Sequence, residues 1–175
     1  MHRFTELISH CTSFTLSMLK EAEDRTVDLL QTSGATSLVK TLQMIQLQKA
    51  VTAVGMFSLF EATLQDGLNC KNGFDEATKI LKSEGQVALM ETFTDIQKAI
   101  NVLKHGRGQS YDALVAKADR LSFRIKLPAD AFFYEGDVSE VSTLVEVDDA
   151  FILECARIIQ GVSEVIAKAL PTVVL

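Results

Sequence analysis

A cation, an amide and an imidazole recur at helical spacing near the middle of this chain. Lys98, Asn101 and His105 are three and four residues apart. At about 100° per residue, they and Thr94 fall within an arc of roughly 60° on one helix edge. An imidazole exchanges its proton near neutral pH, which suits His105 to general acid or base work. A lysine or arginine holds phosphate and stabilises charge developing on it, and an asparagine can orient either the imidazole or the phosphate. Arg107, Gly108 and Ser110 follow at once. Backbone N–H groups from Gly108 to Tyr111 would open the next helix behind a glycine-containing turn, a natural anion site. The chemistry implied is phosphate binding or phosphoryl transfer. His105, Asn101 and Lys98 are the candidate catalytic residues, and Arg107, Gly108 and Ser110 the candidate phosphate-binding residues.

The same residues also read as an ordinary helix end. Gly106 suits the position after a helix C-terminus, and Lys104 and His105 are favourable with the helix dipole there. Gly108-Gln109-Ser110 then makes only a turn and a cap. Three other groups bear on the choice. Glu61 is a lone acid in an apolar stretch, either facing His105 across a bundle or partly solvated. Tyr111 either stacks on a base or packs its ring under the turn. His2 and His10 are isolated and read as surface or interface residues.

Long helices must position these groups, because no proline occurs before Pro128. The periodicity predicts a first helix over about 4–30, with Phe4, Leu7, Ile8, Cys11, Phe14, Met18, Ala22 and Leu29 at helical spacing and Gly34 as its C-terminal cap. A second helix spans about 37–68. It is apolar over much of its girth between Val51 and Leu64, which places it centrally or at a subunit interface. Gly55 would allow close packing there. A short helix covers 74–81. The next runs over 87–104, its core stripe Phe93, Ile96, Ile100 and Leu103 opposite the Lys98–His105 edge. Ser110 caps a further helix to about Leu121. Phe123–Leu127 alternates apolar and basic residues, and Thr143–Val147 is its expected antiparallel partner. Asp148 or Asp149 caps a final helix carrying Ile152, Cys155, Ile159, Val162 and Ile166 on one side. The expected fold is all-α: an up-and-down bundle of four to five main helices with a small β-hairpin insert.

Composition narrows the function classes. A chain of 175 residues reads as a single helical domain, 1–175. Its net charge of −6 excludes a generic nucleic-acid-coating protein, although a local basic patch remains compatible with phosphate binding. Cys11, Cys70 and Cys155 are far apart and odd in number, unlike zinc ligands or a disulfide framework, and read as three buried thiols in a reducing compartment. No metal cluster is legible, and no cofactor is expected. Glu6 and His10 interrupt any signal-peptide core, and every apolar stretch is broken by polar residues. The chain is therefore expected in the cytoplasm, with no membrane association. The acids between Asp130 and Asp149 read as a solvated loop.

One resemblance adds to this reading. A helix containing Phe57-Ser58-Leu59-Phe60-Glu61 precedes a helix ending Asn101-x-x-x-His105-Gly106, and a further helix follows. This order resembles the HEPN superfamily, helical domains of many prokaryotic toxin and phage-defence proteins. The similarity covers roughly residues 37–170, and its specific part is 101–106. It implies a helical bundle that forms a homodimer, and an RNA or nucleotide ligand. Its active members are metal-independent ribonucleases whose motif places an Arg upstream of His, often with Asn directly after the Arg. Ile100 stands where that Arg is expected and belongs to the core stripe. Lys98, on the correct face, and Arg107, from the other side, are the available cations. The resemblance thus implies one of two outcomes. One is a weak ribonuclease, with His105 as base or acid for attack by the 2′-hydroxyl, Lys98 or Arg107 holding the phosphate and Asn101 positioning it. The other is a degenerate binding module of a defence or stress system, with an antitoxin or regulatory protein as partner. Two alternatives stay open: a non-catalytic helical interaction protein, and a small-molecule sensor with a pocket between bundle and hairpin.

Overall fold

The structure, a computed structural model, describes residues 4–130 and 139–173. His2 and the 131–138 part of the acidic segment, with Gly136, lie outside the described residues. Among those described, the chain forms six α-helices: α1 (Phe4–Leu30), α2 (Thr36–Gly67), α3 (Gly73–Ser83), α4 (Val87–His105), α5 (Gln109–Val115) and α6 (Asp149–Ala169). A 3-10 turn over Ala118–Arg120 follows α5. The all-α expectation holds, with four long helices and two short ones.

Local chemistry fixes several helix ends. The Asp148 carboxylate accepts the Phe151 N–H at 2.7 Å and starts α6. Asn72 accepts the Asp75 N–H at 3.1 Å and starts α3. Two expected caps are not formed. Ser110 lies inside α5, whose N-cap is Gly108 with no side-chain bond. Gly34 does not adopt a left-handed φ; α1 closes instead through tight turns, Gln31 N–H to Asp28 O and Thr32 N–H to Leu29 O, each 3.2 Å.

The helices surround one aromatic centre. Phe57 and Phe60 of α2, Phe74 of α3 and Phe93 of α4 meet there, with Phe74 and Phe93 edge-to-face at 5.4 Å. Ile152, Cys155, Ile159, Val162 and Ile166 of α6 are fully buried, as their spacing predicts. Cross-helix contacts give the directions. Phe4 stacks on Phe60, Thr12 Oγ1 donates to Met56 Sδ at 3.7 Å, and Glu23 reaches Lys49, so α1 and α2 run antiparallel. Lys49 is buried and also pairs with Asp149 at 2.8 Å, tying the start of α6 to the same level.

The β-hairpin insert is not seen; the described residues contain no strand. The two segments do meet in the expected register, through one antiparallel bridge between Ile125 and Val145. Lys126 N–H bonds Leu144 O at 2.9 Å and Glu146 N–H bonds Arg124 O at 3.0 Å. Leu127 and Thr143, like Ile125 and Val145, turn their N–H groups away from the partner segment, so the next ladder donor after Lys126 would be residue 128. Leu127 N–H is taken by the Asp130 carboxylate at 2.9 Å, and Thr143 N–H turns back to Val141 O at 2.7 Å. Pro128 offers no N–H to continue the ladder.

Candidate functional site

The predicted edge lies at the C-terminal end of α4. Gly106 breaks the helix there, with φ +75° and ψ −144°, while its N–H still bonds Val102 O at 2.8 Å. That backbone region is essentially restricted to glycine. It frees Arg107 and Gly108 to reverse the chain into α5. Arg107 places its guanidinium 5.6 Å from the centre of the Tyr111 ring. Tyr111 is buried and donates its hydroxyl to Lys126 O at 2.8 Å. Its ring packs under the turn and is not available to stack on a base.

Asn101, Lys104, His105 and Arg107 are all exposed, and Lys98 is half-buried. Among the described residues, the side chains of Lys98, Asn101, Lys104 and His105 make no hydrogen bond or ion pair with one another or with a neighbour. A polar edge that is unpaired within the chain is open to a ligand's acceptors.

The edge divides in two. A cleft of about 200 Å³ lies between α2, the start of α3 and α4. Asn101, Lys104 and Gln97 line it from α4, Ser58 and Glu61 from α2, and Asn72 from the α3 N-cap. Asn101 thus belongs both to the predicted arc and to this cleft. Lys98 and His105 lie on the outer shoulder of α4 and do not line it. Glu61 is half-buried and shares the cleft with Asn101 and Lys104 rather than with His105. Ile100, 4% exposed, contributes to the cleft floor.

Gly73 sets the width of this cleft. A Cβ there would lie 2.6 Å from Leu64 Cβ and 2.8 Å from Glu61 O. Only glycine lets α3 start so close beneath α2, and that approach brings Asn72 opposite Lys104. Lys104, Gln97 and Asn72 were not singled out as site residues in the sequence. The usable signal was the spacing of Gln97, Asn101 and Lys104, which repeats three to four residues apart like the arc beside it.

Other expected features sort as follows. Arg107, Gly108 and Ser110 stay close in the α4–α5 turn, but α5 has only seven residues, so its dipole is short. The expectation of three buried thiols holds for Cys155 alone; Cys11 is exposed and Cys70 half-buried. Burial raises the Cys155 thiol well above its ordinary range, so it stays protonated. His10 is exposed. Among the described residues, no three His, Cys, Asp or Glu side chains are placed to hold a metal ion. No helix among them is long and apolar enough to cross a membrane. In comparisons with known proteins, no family model, curated protein or solved structure matches this chain.

Proposed function

We propose that the chain is a HEPN-like module of a prokaryotic defence or stress system that binds RNA or a nucleotide through the C-terminal end of α4. One observation carries the reading: among the described residues, Asn101, Lys104 and His105 stand together on an exposed edge of α4 without a side-chain partner. Lys98, Lys104 and Arg107 supply charge for phosphate oxygens, and Asn101 supplies an amide donor. His105 adds a further ring N–H donor beside them.

Binding is favoured over efficient catalysis. Ile100 occupies the position where the resemblance expects an arginine, and it is buried. Lys98 cannot reproduce the planar fork of a guanidinium. Arg107 already rests against Tyr111. Residual cleavage would use His105 to take the 2′-hydroxyl proton or to protonate the departing 5′-oxygen: the 2′-oxygen bonds to phosphorus, the bond from phosphorus to the 5′-oxygen breaks, and a 2′,3′-cyclic phosphate and a 5′-hydroxyl result.

The test compares wild type with His105→Ala on single-stranded RNA in EDTA, measuring binding and cleavage together. The reading expects binding that weakens in the variant, with little or no cleavage in either protein. Metal-independent cleavage lost in His105→Ala would convert the module into a working ribonuclease. Absence of RNA binding by the wild type would remove the reading. In that event the second reading, a helical protein-interaction module, is favoured by the apolar side chains that α1 and α2 leave exposed, among them Leu7, Phe14, Met18, Met44, Val51 and Leu59.

A further inference from the structure

A carboxylate stands beside the groups that would hold phosphate. Glu61 lines the cleft from the α2 side, with Gln97, Asn101 and Lys104 on the α4 side. Glu61 is half-buried, and among the described residues its side chain makes no hydrogen bond or ion pair. Gln97 is half-buried and equally without a partner. Polar groups drawn partly out of water and left unsatisfied cost a fold stability. Phosphate cannot satisfy Glu61, because two anions repel. The carboxylate asks instead for a part of the ligand that brings N–H donors.

The rest of the cleft suits one flat ring system. Its floor is made by Phe57, Phe74 and Ile100, all buried and all apolar. Ile100 stands where the resemblance expects an arginine, so the floor carries no charge there. The volume of about 200 Å³ falls short of the ~300–1,000 Å³ of sites that enclose drug-sized molecules. A single base fits such a space, with its sugar and phosphates outside. Lys104 lines the cleft and is exposed, which leaves its ammonium for a phosphate at the rim.

We infer that the cleft selects guanine, with both Glu61 carboxylate oxygens accepting from the N1–H and the N2 amino group and the Gln97 amide donating to O6. Among the four RNA bases, only guanine offers one carboxylate two adjacent N–H donors. Adenine and cytosine present a single amino group beside a ring acceptor that a carboxylate repels. Uracil presents one N–H between two carbonyls. The inference rests on the reading of the α4 end as an RNA or nucleotide site, and it adds which base is read and by which residue.

Fluorescence anisotropy in EDTA tests it, using short labelled oligouridines whose central base is guanine, adenine, cytosine, uracil or hypoxanthine. Wild type is expected to bind the guanine oligomer at least about fivefold tighter than the adenine, cytosine and uracil ones, the lower limit for a two-bond base contact. The hypoxanthine oligomer, which lacks only the N2 amino group, should fall between, and this arm needs no variant. Glu61→Gln keeps the side-chain shape and is expected to bring the guanine oligomer down to the level of the others. Equal binding of all five by wild type overturns the inference and leaves the RNA reading standing. So does a Glu61→Gln variant that binds every oligomer more tightly, since the carboxylate then only repels phosphate. Where no oligomer binds, the RNA reading falls, and calorimetry with guanosine monophosphate decides the cleft. Binding by wild type and not by Glu61→Gln keeps it as a free-nucleotide site, and no binding by wild type overturns it.

Discussion

At the scale of single residues, His105 separates the two readings of the α4 end. Its side chain is exposed and unpaired among the described residues, so structure asks little of it. His105→Ala is expected to cost less than about 1 kcal/mol in denaturant unfolding, the value of a favourable charge at a helix C-terminus. The same substitution should weaken RNA binding several-fold. Gly106 behaves oppositely. Its φ of +75° strains any side chain, so Gly106→Ala should lose about 1–3 kcal/mol. Much of this was legible in the sequence, because a helical arc follows from spacing alone. Which neighbour the arc faces does not. Asn101 and Lys104 lean toward Glu61, and the wheel angle of α4 carries no information about where α2 lies. Glu61 could not be assigned to Lys104 rather than His105 before the helices were assembled.

At the scale of elements, caps and close approaches decided what the periodicity left open. Asp148→Ala removes the bond to the Phe151 N–H and should cost about 1 kcal/mol by thermal unfolding. Gly73→Ala forces a Cβ onto Leu64 and the Glu61 carbonyl, and should cost about 1–3 kcal/mol because backbone must move. It should also open the cleft and weaken any ligand held there by Asn72 and Lys104. The long helices were readable because proline is absent before Pro128 and apolar residues recur every three to four positions. The insert was readable in register but not in length. Alternation at 123–127 and 143–147 placed Ile125 opposite Val145, yet Pro128 stands where the next ladder donor would be, and only one bridge forms. A hydrophobic pattern counts apolar side chains and not backbone donors. The Ser110 cap fails because Gly108 already starts α5 and leaves Ser110 inside it.

At the scale of the whole molecule, an apolar stripe does not say which side of a long helix turns to the core. Leu7, Phe14 and Met18 recur as regularly as Ile8 does, yet only Ile8 turns inward. The stripe on α2 divides likewise, with Phe57 and Phe60 inside and Val51 and Leu59 outside. Net charge makes a further demand. A chain at −6 holds RNA only through a local basic edge, so affinity must depend on salt. With Lys98, Lys104 and Arg107 engaged, log K should fall with log salt at a slope of about −2, since each phosphate contact on a single strand contributes about −0.7. A slope near zero would mean that these cations do not meet phosphate.

The most direct test of the α4 end as a nucleic-acid site is a residue-resolved NMR titration of isotope-labelled protein with a short single-stranded RNA in EDTA. The account predicts progressive amide shifts at Asn101, Lys104, His105 and Arg107, which in His105→Ala need several-fold more RNA at the three unchanged positions, with Leu153 and Asp24 unmoved. Shifts confined to other surfaces, or none at saturating RNA, would contradict it.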